Sequence, residues 1–385
     1  MQAATQQTST PLIQPFSRRS FHKTLTLLTA GAALPFFNEQ ALAQLSMVKN
    51  MPADAVKINA NENPMGPCPE AAEAIHAIVA KGGRYLYEET ATAAETLADS
   101  EGIPKDHVQM YPGSSEPLHR AVLAFCSKDR PFVVADPGYE AGSRAAQFIG
   151  AKTIGVPLTK VGAMHDVKAM AAASPTAGLI YICNPNNPTG TTTPKEDIDW
   201  LVANKPAGTI ILLDEAYIHL SKAQMGSAYV IADKDVVILR TFSKLYGMAG
   251  IRAGAALGRP DLLKKISAFG AGALPITAMV AATASLKSKN LIAERRKIIA
   301  DIREDTFSFL AKNNIEFLPS DANMFMMNAK RPGTEFAKAT AKKNVYIGRP
   351  WPVWPTWVRV SVGTREEMAK FKKVCLECYN ESQTG

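Results

Sequence analysis

The chain carries Thr241-Phe242-Ser243-Lys244 and, shortly after, Gly247-Met248-Ala249-Gly250-Ile251-Arg252. The Thr241 and Ser243 hydroxyls and the planar guanidinium of Arg252 can hold a phosphate dianion. An amine beside that phosphate can condense with an aldehyde on the same molecule, which is what a Schiff base needs. Asp214 closes the apolar run Ile210-Ile211-Leu212-Leu213. A carboxylate there leaves water and must find a partner. A protonated ring nitrogen is one such partner; the start of a helix, which aspartates often cap, is another. Tyr217 and Asn187 can each hydrogen-bond a phenolate-type oxygen. Asn187 lies in Asn184-Pro185-Asn186-Asn187-Pro188-Thr189-Gly190, a segment that by itself signals only a tight turn. Gly113-Ser114-Ser115 precedes a helical pattern, and the free amides of a helix start accept anions. Tyr139 can stack on a ring or simply pack.

These residues share one kind of location. Between residues 81 and 260, short apolar runs alternate with helical patterns: Val108–Tyr111, Pro131–Ala135, Leu179–Ile182, Ile210–Leu213 and Val236–Leu239. Bare apolar runs of this length indicate a mostly parallel sheet covered by helices on both faces, an α/β architecture. Each run ends in a polar or turn cluster, and ligands bind off the carboxyl ends of such strands. The five clusters are therefore expected to converge on one crevice. Further on, a long charged helix over Leu286–Asn313 is predicted, then strands at Ile315–Leu318, Asn323–Met327, Val345–Gly348 and Trp357–Val362. Helices at Thr334–Lys343 and Glu366–Tyr379 complete a smaller α+β domain. The expected divisions are a 1–43 leader, a 44–80 segment shared with the small domain, an 81–285 large domain and a 286–385 small domain.

Asn-Pro-x-Asn-Pro-Thr-Gly, Asp-Glu-Ala-Tyr, Ser-Lys and Ala-Gly-x-Arg occur in an order and spacing that resembles the fold-type I pyridoxal 5'-phosphate (PLP) enzymes, the aspartate aminotransferase superfamily. Asn59-Ala60-Asn61-Glu62-Asn63-Pro64, Ser320-Asp321-Ala322-Asn323 and Val358-Arg359-Val360-Ser361-Val362-Gly363-Thr364 look like its histidinol-phosphate aminotransferase subgroup. The likeness spans residues 55 to 380. It implies that Lys244 binds PLP covalently and shuttles a proton, and that Asp214 pairs with the ring nitrogen. Asn187 and Tyr217 would meet the ring hydroxyl and Tyr139 would stack on the ring. Ser114, Ser115, Thr241, Ser243 and Arg252 would hold the phosphate, joined by Tyr85 of a second subunit in a homodimer. Arg359 would clamp the substrate α-carboxylate, with Asn61, Arg349 and Trp351 beside it.

The chain departs from the subgroup at Arg84-Tyr85-Leu86-Tyr87-Glu88, where Arg-Tyr-Pro-Asp/Glu is usual, and in lacking the N-terminal substrate-contacting segment usual before Asn59, since the leader is expected to run almost directly into that motif. It departs again in Gly348-Arg349-Pro350-Trp351-Pro352-Val353-Trp354-Pro355-Thr356-Trp357, which holds three of the four tryptophans. Trp351 is expected at the pocket and Trp357 in packing.

The N-terminus reads as an address. Ser17-Arg18-Arg19-Ser20-Phe21 precedes an apolar stretch, Leu25–Phe37, and Ala41-Leu42-Ala43 supplies a cleavage pattern. This resembles a twin-arginine signal and predicts a folded, exported, periplasmic enzyme that is soluble once the leader is removed. Net charge of +8 is scattered, with no basic helix interleaved with aromatics, which argues against nucleic-acid partners. Cys375-x-x-Cys378 falls in a predicted helix with no second ligand pair, so a helix face is expected there and not a metal site. The expected reaction is ping-pong amino transfer from an amino acid, or an amino-bearing small metabolite or peptide, to a 2-oxo acid. Export and the departures argue against histidinol phosphate. A PLP-dependent lyase or decarboxylase and a non-catalytic periplasmic binding protein are the alternatives.

Overall fold

The computed structural model describes residues 51–270 and 272–381; the twin-arginine segment lies outside the described residues. The centre is a seven-stranded sheet built from β2 (Val108–Tyr111), β3 (Phe132–Asp136), β4 (Thr153–Pro157), β5 (Leu179–Cys183), β6 (Ile210–Asp214), β7 (Val236–Thr241) and β8 (Gly254–Gly258), in the order β2-β8-β7-β6-β5-β3-β4. Strand β8 runs antiparallel to both of its neighbours, and the other pairs are parallel. The five predicted runs are strands. β4 and β8 were not foreseen. Gly-Ala-Ala-Leu-Gly lacks the branched residues that mark a strand, and β4 is a half-exposed edge ending in proline.

Every residue of β5, β6 and β7 is buried. Burying each branched side chain contributes roughly 1.5–3 kcal/mol relative to exposure. Register is thereby fixed, because a one-residue slip would carry Asp214 into the apolar layer. Helices α1 (Pro69–Val79) and α2 (Tyr87–Glu101) pack against α9 (Ile276–Lys287). The remaining helices between Ser115 and Ser267 are α3 (Ser115–Phe125), α4 (Ala141–Phe148), α5 (Val167–Ala172), α6 (Lys195–Asn204), α7 (Ser227–Ile231) and α8 (Pro260–Ser267).

The smaller region holds α10 (Leu291–Lys312), β9 (Met324–Asn328), α11 (Gly333–Lys342), β10 (Val345–Ile347), β11 (Trp357–Ser361) and α12 (Arg365–Glu381). β9 and β11 pair antiparallel, while β10 pairs in parallel with β1 (Val56–Ile58) from the opposite end of the chain. Two expectations are corrected. The predicted helix over Leu286–Asn313 begins only at Leu291, because Ser288–Asn290 separate it from α9. Ile315–Leu318 makes one bridge, Phe317 to Met327, held by Leu318 N donating to Met326 O at 2.9 Å and Asn328 N to Glu316 O at 2.8 Å; the pairing extends no further, so it is not a strand. Cys375 and Cys378 lie buried on α12, and burial raises both thiols above their ordinary pKa. Among the described residues no helix is long and apolar enough to cross a membrane.

Candidate active site

Three strand ends build an anion cradle. The turn after β2 brings Gly113 to φ +95°, where an added Cβ would overlap the Arg252 guanidinium, so this approach requires glycine. Ser114 sits at the N-cap of α3 and Ser115 opens the helix, leaving its first amides available. After β7, Thr241 Oγ1 donates to Ser243 Oγ at 2.9 Å and accepts the Ser243 amide at 3.2 Å. Arg252, itself left-handed at φ 73°, donates to Ala249 O at 2.7 Å, Pro112 O at 3.0 Å and Ser243 Oγ at 3.4 Å. These partners are neutral oxygens, and burial pulls the guanidinium below its ordinary pKa. A desolvated cation among hydroxyls at a helix start is a donor set that fits a phosphate.

Asp214 ends β6 and is 3% exposed. Its Oδ1 accepts the Ala216 amide at 3.1 Å, the turn-capping contact the residue type allows, and its Oδ2 accepts the Tyr181 hydroxyl at 2.7 Å. The carboxylate therefore serves both roles open to it, turn cap and buried anion, and suits a protonated ring nitrogen. Lys244 is buried, with Nζ 5.5 Å from the Tyr217 ring centroid.

The other wall comes from the small region. Tyr217 OH accepts from Asn61 Nδ2 at 3.0 Å, and Asn61 Oδ1 accepts from Ser361 Oγ at 3.0 Å. Arg359, on β11, donates to Asn187 Oδ1 at 2.9 Å and to Asn59 O at 2.8 Å. Its guanidinium carbon is 5.6 Å from the Trp351 ring centroid, and Trp351 Nε1 donates to Gly138 O at 3.1 Å. Next to Gly138, Tyr139 OH approaches Ser115 Oγ at 3.5 Å. These contacts trace a partial circuit: Arg252 meets the Gly113 loop, Ser115 meets Tyr139, Trp351 meets Gly138 and Arg359, Arg359 meets Asn187 and Asn59, and Asn61 meets Tyr217, whose ring lies beside Lys244. Gly190, at φ +71°, lets the Asn-Pro loop press on Ser320, and Asp321 N donates to Gly190 O at 2.9 Å.

Trp351 is buried at this wall, whereas Trp357 is half-buried and packs at 5.8 Å on Trp354. Arg349 also stacks on Trp351, 4.2 Å from its centroid, and forms an ion pair with Glu140. Tyr85 does not join its own chain's circuit: it is 69% exposed and stacks on Tyr87.

Tyr181, Glu140 and the backbone of Asn59 were not anticipated. Tyr181 hides in an apolar strand, and only the β5–β6 register, with Cys183 opposite Asp214, sets it beside the carboxylate. Glu140 gave no signal beyond following Tyr139.

A parallel sheet whose strand ends gather an amine, a buried carboxylate and a hydroxyl–guanidinium cradle defines a fold-type I PLP-dependent enzyme. The chain belongs to the family "Aminotransferase class I and II", whose family model matches residues 53–373. It is 31% identical to a histidinol-phosphate aminotransferase of Moorella thermoacetica over 84% of this chain and 85% of that protein. It is also 31% identical to an aromatic amino acid aminotransferase of Rhodococcus jostii, over 84% and 90%. A histidinol-phosphate aminotransferase of Sinorhizobium meliloti, solved in complex with pyridoxal-5'-phosphate, superposes with a TM-score of 0.79 at 25% identity, covering 91% of this chain and 96% of that one.

Proposed function

We propose that this aminotransferase takes the amino group from a free amino acid, or an amino group on a small metabolite, and delivers it to a 2-oxo acid in ping-pong order. The observation that supports this reading is the gathering at neighbouring strand ends of a buried Lys244, a buried Asp214 and the Thr241–Ser243–Arg252 cradle, with Arg359 bound to Asn187 of the Asn-Pro loop. Bound PLP supplies the electron sink for electrons released at the substrate Cα. Lys244 Nζ would bind the cofactor and move the proton to and from Cα. Asp214 would pair with the ring nitrogen. Asn187 and Tyr217 would meet the ring hydroxyl, and Tyr139 would pack on the ring. Ser114, Ser115, Thr241, Ser243 and Arg252 anchor the phosphate. Arg359 grips the α-carboxylate bidentately, with its guanidinium plane set by Trp351 and Asn187.

A panel of amino acids added to the yellow holoenzyme should bleach the cofactor band with donors that react, and 2-oxoglutarate or another 2-oxo acid should restore it. Release of carbon dioxide or ammonia in place of an oxo acid would assign a lyase instead. Lys244→Ala should fold normally, resist covalent trapping of the cofactor by borohydride and lose on the order of 10⁴-fold in turnover. Normal turnover by that variant would sink the mechanism.

The proposal extends to a homodimer in the periplasm. Exposure of Tyr85 supports its reaching the phosphate of a second copy. The Arg18-Arg19 pattern supports export of the folded protein. Sedimentation should give a dimer, and replacing both arginines should retain the protein in the cytoplasm; unchanged export refutes the signal.

A further inference from the structure

We propose that Arg295 and Asn63 are positioning residues for Lys244: together they grip the carbonyl of Leu245, the next residue, and so fix where the lysine amine can reach. This rests on Lys244 being the residue that binds PLP.

Lys244 follows the end of β7 and belongs to no strand or helix, so its backbone needs restraint from outside. The turn after it closes on itself, with Gly247 N donating to Lys244 O at 3.2 Å and Met248 N to Phe242 O at 3.0 Å. Neither bond uses the Leu245 carbonyl. That oxygen accepts instead from Asn63 Nδ2 at 2.9 Å and from Arg295 Nη1 at 3.1 Å, which fills both lone pairs. The two donors come from distant parts of the chain: Asn63 from the segment after β1, Arg295 from α10. The fit between them is tight. Gly247 has φ +69°, and a Cβ there would overlap Gly66 O and stand 3.0 Å from Arg295 Nη1.

Arg295 is 7% exposed, and burial pulls its guanidinium below the ordinary pKa. Burying a cation is costly. Its hydrogen bond goes to a main-chain oxygen one residue from Lys244 and not to a carboxylate, and a charged donor holds that oxygen more firmly than a neutral one. Asn63 adds a second connection. Three buried asparagines of its segment each hold a different group of the site: Asn59 O accepts from Arg359, Asn61 Nδ2 donates to Tyr217 OH, and Asn63 takes the lysine turn. One short strap thereby sets the spacing between Arg359, Tyr217 and the Lys244 backbone. A shift of about 1 Å in a reacting group can cost on the order of 100-fold in rate.

The test reloads the full-length protein, freed of cofactor, with PLP. Two quantities are read: the rate at which the yellow band of the Lys244-bound cofactor grows, and PLP affinity by calorimetry in a Lys244→Ala background, where that bond cannot form. Arg295→Met should slow attachment by about tenfold or more. In the Lys244→Ala background it should leave PLP affinity within about twofold. Arg295→Lys, which restores a charged donor, should recover most of the rate, and Asn63→Ala should repeat the pattern of Arg295→Met. A merely structural role would weaken PLP binding with or without Lys244. That result, or an unchanged attachment rate in Arg295→Met, overturns the assignment. Should Arg295→Met fail to fold, Asn63→Ala decides by the same two readouts. Failure of borohydride to trap PLP on Lys244 of the native protein would sink the cofactor reading and this role with it; normal trapping with indifferent variants strikes the positioning role alone.

Discussion

Tyr181 donates its phenol hydrogen to Asp214 Oδ2 from a fully buried position, with its ring 6.0 Å from that of Phe132. Burial first, and then the neighbouring Asp214 charge, hold the phenol well above its ordinary pKa, so it stays a donor at any working pH. A hydrogen bond to a charged group contributes about 1.5–3 kcal/mol. Tyr181→Phe should therefore keep its fold by circular dichroism while losing about tenfold or more in kcat/KM, because the Asp214 carboxylate is less firmly oriented. Unchanged kinetics would remove Tyr181 from the site. Lys244 and Asp214 stood out in the sequence because each sits at or just after the end of an apolar run, and Arg252 because it follows Ser243-Lys244 in an Ala-Gly-x-Arg segment. Tyr181 was not, because it acts from inside such a run and its partner is set by pairing between strands. Glu140 escaped for a related reason: its partner, Arg349, comes from the far side of the chain.

At the scale of elements, a buried ion triad ties helix to sheet. Arg240 on β7 meets Glu101 at the end of α2, at 2.6 Å, and Glu215 just after β6. Burial pushes both carboxyls up. Arg240 and its hydrogen bonds overcome this at Glu101, which ends below its ordinary value, while Glu215 ends above it. The neighbours in sequence are Asp214 and Thr241, so the triad fixes the backbone from which these two side chains project. Arg240→Leu would leave two buried carboxylates facing each other. It should destabilise the protein by roughly 3–5 kcal/mol in urea unfolding and weaken cofactor retention together. A stability loss under about 1 kcal/mol would mean the triad is dispensable. Strands with branched apolar residues were legible from the sequence. β8, Gly-Ala-Ala-Leu-Gly, was not legible, because it lacks the branched residues that mark a strand.

For the molecule as a whole, buried histidines make stability depend on acid. His119 in α3 and His165, whose Nδ1 lies 2.9 Å from Thr193 Oγ1, are held by burial at about 4, down from 6.5. The unfolded chain takes up these protons near 6.5 and the folded one only near 4. Their stabilisation is complete above pH 6.5 and is lost as pH falls from 6.5 towards 4, by at most about 1.4 kcal/mol per unit for each histidine. Tm measured across that window should fall with pH, and His165→Asn should flatten the slope. Strand β1 carries a further consequence. Among the described residues Val56–Ile58 pairs only with Val345–Ile347, and Asn61 Oδ1 accepts from Ser361 Oγ. A nascent chain has no pocket wall until nearly its last helix leaves the ribosome, however early the central strands collapse. Vitamin capture must then follow the end of synthesis, and any secretion route this polypeptide takes must accept a finished, loaded protein if the cofactor is to travel inside it.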